Sequence, residues 1–171
     1  LQPQRVVVDS RLQTPPAARI LQPPGRVWIY AGEPDRGEGG GEDGNDAGGA
    51  APRRAVLEAT GAVDIRTFAD PRPGGRGKVD LEAMLRDLAA RGVNELHVEA
   101  GHKLNASLLR AGLVDELLVY LAPRLIGLGR EMAAFGPLES LADTLDFRFV
   151  DVAPVGDDLR LRARPPARER F

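Results

Sequence analysis

Val98-Glu99-Ala100-Gly101-His102-Lys103-Leu104-Asn105-Ala106-Ser107-Leu108-Leu109-Arg110-Ala111-Gly112 joins the end of an alternating apolar run, a glycine and the start of a helix. Residues 95–99 carry the strand alternation, and Leu104, Leu108 and Leu109 follow at helical spacing until Gly112 stops the helix. Glu99 closes the predicted strand, and His102 and Lys103 occupy the first turn of the predicted helix. In an open α/β sheet the ligand crevice lies beyond the carboxyl ends of the strands. A helix that starts there favours anions, because its first N–H groups have no partner inside the helix. The stretch therefore predicts an α/β fold with an anionic ligand, such as a nucleotide cofactor, beside a single acid.

Outward from this stretch the same alternation of strands and helices continues. Residues 5–9 and 26–31 read as strands rich in β-branched and aromatic groups, separated by Pro15-Pro16 and Pro23-Pro24, which exclude a regular helix over 14–25. A short helix is predicted over 52–59 and a strand over 63–68. Asp80 then caps a helix with Leu81, Met84, Leu85 and Leu88 on one face and Gly92 after its end. Beyond the opening stretch come a strand over 115–122 closed by Pro123, a turn of helix at 138–141, and a hairpin of 146–152 with 159–164. Strands joined through helices imply parallel pairing. The expected fold is α/β, a mixed, mainly parallel sheet flanked by helices with a C-terminal antiparallel hairpin.

Composition narrows the function classes. The 171 residues suit one domain over 1–165, with 166–171 as a frayed tail. The acidic, glycine-rich segment 32–50 is expected to be a flexible insertion, since it lacks the large apolar groups that would offset the cost of ordering it. Its carboxylates lack the spacing of a calcium loop. A formal net charge of −2 gives no reason to expect nucleic-acid or membrane docking. With no cysteine and only His97 and His102, no metal site is expected. The absence of a long apolar run or signal segment makes a cytoplasmic protein the expectation. A core-like strand starting at Arg5, just after Leu1, suggests the downstream part of a longer protein.

Several side chains carry two readings. Glu99 is either an acid facing a ligand or an exposed strand-end carboxylate paired with Lys103. The cations His102 and Lys103 oppose the helix dipole at about 0.3–1 kcal/mol each, a penalty that a bound phosphate would remove and that Glu99 would partly offset. Asn105 and Ser107 contact either a ligand or water. Ser10, after the first strand, either hydrogen-bonds a ribose or phosphate or only opens a turn. His97 reads as a structural histidine, and Gly127-Leu128-Gly129 alone is a weak phosphate signal.

The run Val98-Glu99-Ala100-Gly101-x-x-Leu104-x-x-x-Leu108-Leu109-x-Ala111-Gly112-Leu113-Val114-Asp115-Glu116 resembles the reductase domain of the bifunctional riboflavin-biosynthesis deaminase/reductase. The same resemblance extends to Arg5-Val6-Val7-Val8-Asp9-Ser10 with Thr14-Pro15, to Tyr120-Leu121-Ala122-Pro123-Arg124-Leu125-Ile126-Gly127, and to Val155-Gly156-Asp157-Asp158-Leu159-Arg160-Leu161. It implies a dihydrofolate-reductase-like fold, NADPH as cofactor and a ribosylaminouracil phosphate as the small-molecule substrate, reduced at C1′ of the opened sugar. It also implies that Glu99 contacts substrate. Ser10, Gly101, His102, Lys103, Leu104, Asn105, Ala106 and Ser107 would contact the cofactor. His102-Lys103 departs from the family's usual Pro-Thr, so only backbone donors carry over at those two positions. A homodimer is implied, as are a fused deaminase and further site residues before residue 1, without which the piece is expected to be inactive. Two alternatives stay open: a non-catalytic nucleotide-binding or dimerisation fragment, and a reductase of this fold acting on another substrate such as a pteridine.

Overall fold

The computed structural model describes residues 3–33, 49–75 and 77–166. The architecture is mixed α/β, as the sequence predicts, with its strands in a parallel sheet of three and an antiparallel sheet of three. The chain divides into two compact units, Leu1–Glu95 and Leu96–Phe171.

In the first unit β1 (Arg5–Val8), β2 (Val27–Ala31) and β3 (Val63–Thr67) pair in parallel in that order. The pleat of β2 sorts its side chains. Val27, Ile29 and Ala31 join Leu12, Leu21, Leu57 and Val63 in one buried cluster, with Leu57 supplied by α1 (Ala50–Ala59). Trp28 and Tyr30 alternate with them, Tyr30 meeting Asp87 of α2 (Leu81–Ala90) and Trp28 meeting Arg91, the C-cap of that helix. Asp80 caps α2 by accepting from the N–H of Ala83, and Leu81, Met84 and Leu88 are buried. The helix is bolted to the sheet by polar groups as well. The Tyr30 hydroxyl donates to Asp87 at 2.5 Å, Arg66 and Arg91 pair with the same carboxylate at 2.6 and 3.0 Å, and the Arg91 guanidinium lies 4.3 Å from the Trp28 ring centre. Burial first and Asp87 second push the Tyr30 phenol well above its usual range. Arg5 secures the proline-rich connection over 14–25 by donating to the carbonyls of Ile20, Pro23, Pro24 and Gly25.

The expected insertion over 32–50 differs at its flanks. Residues 34–48 lie outside the described residues, but Gly32 is buried and Ala50 begins α1. A Cβ on Gly32 would stand 2.9 Å from backbone atoms of Gly77 and Lys78, so this position belongs to the packed body of the unit. The tail at 167–171 also lies outside the described residues.

In the second unit α3 (His102–Arg110) precedes β4 (Leu117–Leu121), and β5 (Arg148–Val155) and β6 (Asp158–Arg164) form the predicted hairpin, with β6 central. The turn of helix predicted at 138–141 appears three residues later, at Leu141–Asp143. Ser140 caps it there by accepting from the N–H of Ala142, while the Asp143 carboxylate accepts from the N–H of Ser140. Arg160, Arg162 and Arg164 alternate along β6 on one face. Glu116 accepts from Arg162 at 2.9 Å through both oxygens and from Arg164 at 2.8 Å. A bulge between Phe149 and Asp151 turns Asp151 onto that face, where Arg160 meets it at 2.8 Å. The Arg162 and Arg164 hydrogen bonds hold the Glu116 carboxyl at about 2, against an ordinary 4.5. A depressed carboxyl contributes stability above its unfolded value and loses it as the pH falls toward the folded one. Glu116→Gln is therefore expected to lower the melting temperature at neutral pH and to flatten its decline between pH 4.5 and about 2. Asp70, also held at about 2 by Arg72, titrates in the same window, so the difference between variant and parent melts is the quantity to read.

The strand predicted over 95–99 is not formed; these residues belong to no ladder. Alternation favours an extended chain, and His97 Nε2 does lie 3.3 Å from Glu99 Oε1, two residues on. A strand also needs a neighbour to satisfy its backbone, which a local pattern cannot supply.

Candidate functional site

The helix α3 begins where the polar first turn was predicted. Gly101 is its N-cap in an extended conformation (φ −76°, ψ 162°), with no side-chain cap and no acid in the first turn. The first backbone bond runs from Asn105 N–H to the Gly101 carbonyl at 3.1 Å, so the earlier N–H groups lack partners within the helix. Any residue can adopt the Gly101 backbone. A Cβ there would meet nothing within 4 Å, so the space around the helix start is open at this point. The buried residues are Ala106, Leu108 and Leu109, and the exposed Lys103, Ser107 and Arg110 lie on the opposite side of the helix.

The predicted site residues fall in two places. Glu99, Gly101, His102, Lys103, Leu104, Asn105, Ala106 and Ser107 belong to the second unit, and Ser10 to the first. Glu99 is 84% exposed and has His97, not Lys103, beside it. His97 is itself 63% exposed, so the reading of it as a structural histidine is corrected: it sits on an exposed, unpaired segment. Ala106 is buried, and Ser107 spends its hydroxyl on the Lys103 carbonyl at 3.0 Å, a bond back along the helix. Asn105 donates to the carbonyls of Ala100 and Met132 at 3.3 and 2.9 Å. Side chains at 105, 106 and 107 are thus engaged by the protein, which leaves at the helix start backbone N–H groups without helix partners and the exposed Lys103. That arrangement suits an anionic group such as a phosphate.

Ser10 stands at the carboxyl end of β1 in a tightly specified turn. The Asp9 carboxylate accepts from the Thr14 N–H and hydroxyl at 2.7 and 2.6 Å, and the Ser10 carbonyl accepts from Gly32 N–H at 3.2 Å. Burial works against the Asp9 carboxylate, but the Thr14 hydroxyl and nearby backbone N–H groups outweigh it and lower its pKa. Between them Leu12 adopts φ +55° with its side chain buried, a conformation that costs a non-glycine residue energy. Asp9 and Thr14 stand in a block that carries the family resemblance, but no role was assigned to either from sequence. The signal was present in Asp9-Ser10-Arg11-Leu12-Gln13-Thr14, a short polar side chain followed by backbone donors it can cap. Among the described residues no cluster of three or more His, Cys, Asp or Glu side chains is placed to hold a metal ion.

The chain as a whole is similar to known proteins over most of its length. The family described as the RibD C-terminal domain matches residues 1–161. The chain belongs to that family. Relatives of the RibD C-terminal domain include the riboflavin biosynthesis protein RibD of Escherichia coli (strain K12), 34% identical over 161 residues, which cover 94% of this chain and 37% of that protein. The 2,5-diamino-6-ribosylamino-4(3H)-pyrimidinone 5′-phosphate reductase of Methanothermobacter thermautotrophicus is 31% identical over 160 residues, covering 92% of this chain and 63% of that protein. Among solved structures, form 2 of Acinetobacter baumannii RibD superposes with a TM-score of 0.70 at 27% identity, covering 96% of this chain and 38% of that one. The chain thus spans 37% to 63% of the length of these relatives. The blocks whose resemblance was noted in the sequence, from Arg5 to Leu161, lie within the matched RibD C-terminal region.

Proposed function

We propose that this chain carries the reductase step of riboflavin biosynthesis, converting 5-amino-6-(5-phosphoribosylamino)uracil to its ribitylamino product with NADPH. The observation that carries this reading is the family match over residues 1–161, which brings with it relatives named as reductases of ribosylaminopyrimidine phosphates. The open start of α3 supports it, with open space at Gly101 and the backbone N–H groups of His102, Lys103 and Leu104 free of helix partners. These donors would hold a cofactor phosphate, and Lys103 would add charge there. When bound, NADPH supplies the hydride delivered to C1′ of the opened ribose. Glu99 would accept hydrogen bonds from substrate. Ser10 would donate its hydroxyl to the cofactor from the turn that Asp9 and Thr14 brace. The same proposal takes the protein to be a cytoplasmic homodimer. It includes a deaminase domain upstream, since the E. coli relative is far longer than this chain. Among the described residues no helix is long and apolar enough to cross a membrane.

The test follows NADPH oxidation by the intact protein in the presence of the uracil substrate. Turnover is expected. Binding of NADPH without turnover of any pyrimidine or pteridine would favour a nucleotide-binding fragment, and turnover of a pteridine alone would move the assignment to another reductase of the fold.

A further inference from the structure

A short segment is seated on α3 in a way that no sequence pattern announces. Residues 121–132 and 136–146 are almost all exposed, whereas Ala133, Ala134 and Phe135 between them are half-buried. Four contacts hold 132–135 to the helix. Asn105 Nδ2 donates to the Met132 carbonyl at 2.9 Å, Ala134 N–H donates to the His102 carbonyl at 2.9 Å, Arg110 Nη2 donates to the Ala134 carbonyl at 2.6 Å, and the Arg110 guanidinium lies 5.1 Å from the Phe135 ring centre. The second Nδ2 hydrogen of Asn105 goes to the Ala100 carbonyl at 3.3 Å. Ala100 is the link between Glu99 and Gly101. One side-chain amide therefore joins the segment, the first turn of α3 and the turn behind Glu99.

The chemistry of this joint is selective. Two carbonyl oxygens can be satisfied only by an N–H₂ group, so the orientation of the amide follows from its partners. An aspartate of the same shape would set a carboxylate against two acceptors. Arg110, the last residue of α3, adds the second fastening by holding the same Ala134 whose N–H meets His102.

We propose that 132–135 form a strap that fixes the start of α3 and the Ala100–Gly101 peptide, and that Asn105 and Arg110 are positioning residues acting through it. Asn105 then serves the cofactor indirectly, in place of the direct contact that the family resemblance implies. The functional half of this proposal rests on the reductase reading above. The strap itself does not.

The experiment measures two things on the intact protein and on its Asn105→Ala, Asn105→Asp, Arg110→Ala and Arg110→Lys variants. Hydrogen exchange reports protection of the Ala134 amide, and titration with steady-state kinetics gives the NADPH affinity, KM and kcat. Loss of these hydrogen bonds is expected to speed Ala134 exchange about tenfold in Asn105→Ala, Asn105→Asp and Arg110→Ala, with Arg110→Lys closer to the parent. The same three variants are expected to weaken NADPH binding and raise its KM by about the same factor, with kcat changed much less. Unchanged exchange in the Asn105 variants overturns the strap. Weakened NADPH binding in the Asn105 variants with none in Arg110→Ala overturns the positioning role and makes Asn105 a direct contact. A parent protein that binds no NADPH defeats the reductase reading instead, and the exchange data still decide the strap.

Discussion

Glu99→Gln is expected to lower kcat/KM for the ribosylaminouracil phosphate by roughly tenfold to hundredfold while leaving NADPH affinity nearly unchanged. A hydrogen bond to a charged acceptor contributes about 1.5–3 kcal/mol, and the amide keeps the shape while losing the charge. The position is suited to such a test because Glu99 is 84% exposed, with His97 at 3.3 Å beside it. Substitution should therefore disturb the fold little, which a thermal melt checks directly. Equal losses in substrate and cofactor handling would contradict the assigned role. The variant then separates a substrate contact at Glu99 from the cofactor contacts proposed at the start of α3.

The largest stability effect is expected away from the candidate site, at Asp87. Its carboxylate, 12% exposed, serves the Tyr30 hydroxyl and the Arg66 and Arg91 guanidinium groups together. Removing Asp87 leaves the buried Tyr30 hydroxyl without its acceptor and Arg91 with Asp64 alone, while Arg66 at 48% exposure turns to water, at a cost of about 1–3 kcal/mol. Asp87→Ala should show a loss of this size in urea-induced unfolding. Asp87→Asn should lose less, because one acceptor oxygen remains, and Tyr30→Phe should lose about 0.5–1.5 kcal/mol for its single hydrogen bond. A loss below about 1 kcal/mol in Asp87→Ala would mean that α2 is held on the sheet by Leu81, Met84 and Leu88 alone.

Much of this arrangement could be read from local pattern. The Asp80 cap, the apolar face of α2, the stop at Gly92 and the polar first turn of α3 were all legible, because helix periodicity and capping depend on neighbours within a few residues. The hairpin of β5 and β6 was legible for the same reason. The segment 95–99 shows where this stops: its alternation is real, but among the described residues no strand pairs with it. At the candidate site Glu99, Gly101 and Ser10 were assigned roles from sequence, while Asp9, Thr14 and Arg110 were not. What Thr14 does for Asp9 is local in principle, yet it rests on a left-handed Leu12 that no propensity favours. What Arg110 does depends on Ala134, 24 residues away.

The sequence by itself determined the alternation of strands and helices, the glycine-to-helix start at Gly101 and the order of blocks shared with the RibD C-terminal domain family, since each is carried by residue type and short-range spacing. Only the tertiary structure decided which of the polar groups at that helix are available. Asn105 and Ser107 are turned to carbonyls of their own protein, and the backbone N–H groups after Gly101 have no side-chain cap. The physical reason is that a hydrogen-bonding group can be spent once, and its partner is chosen by distances in space that the chain's order does not contain.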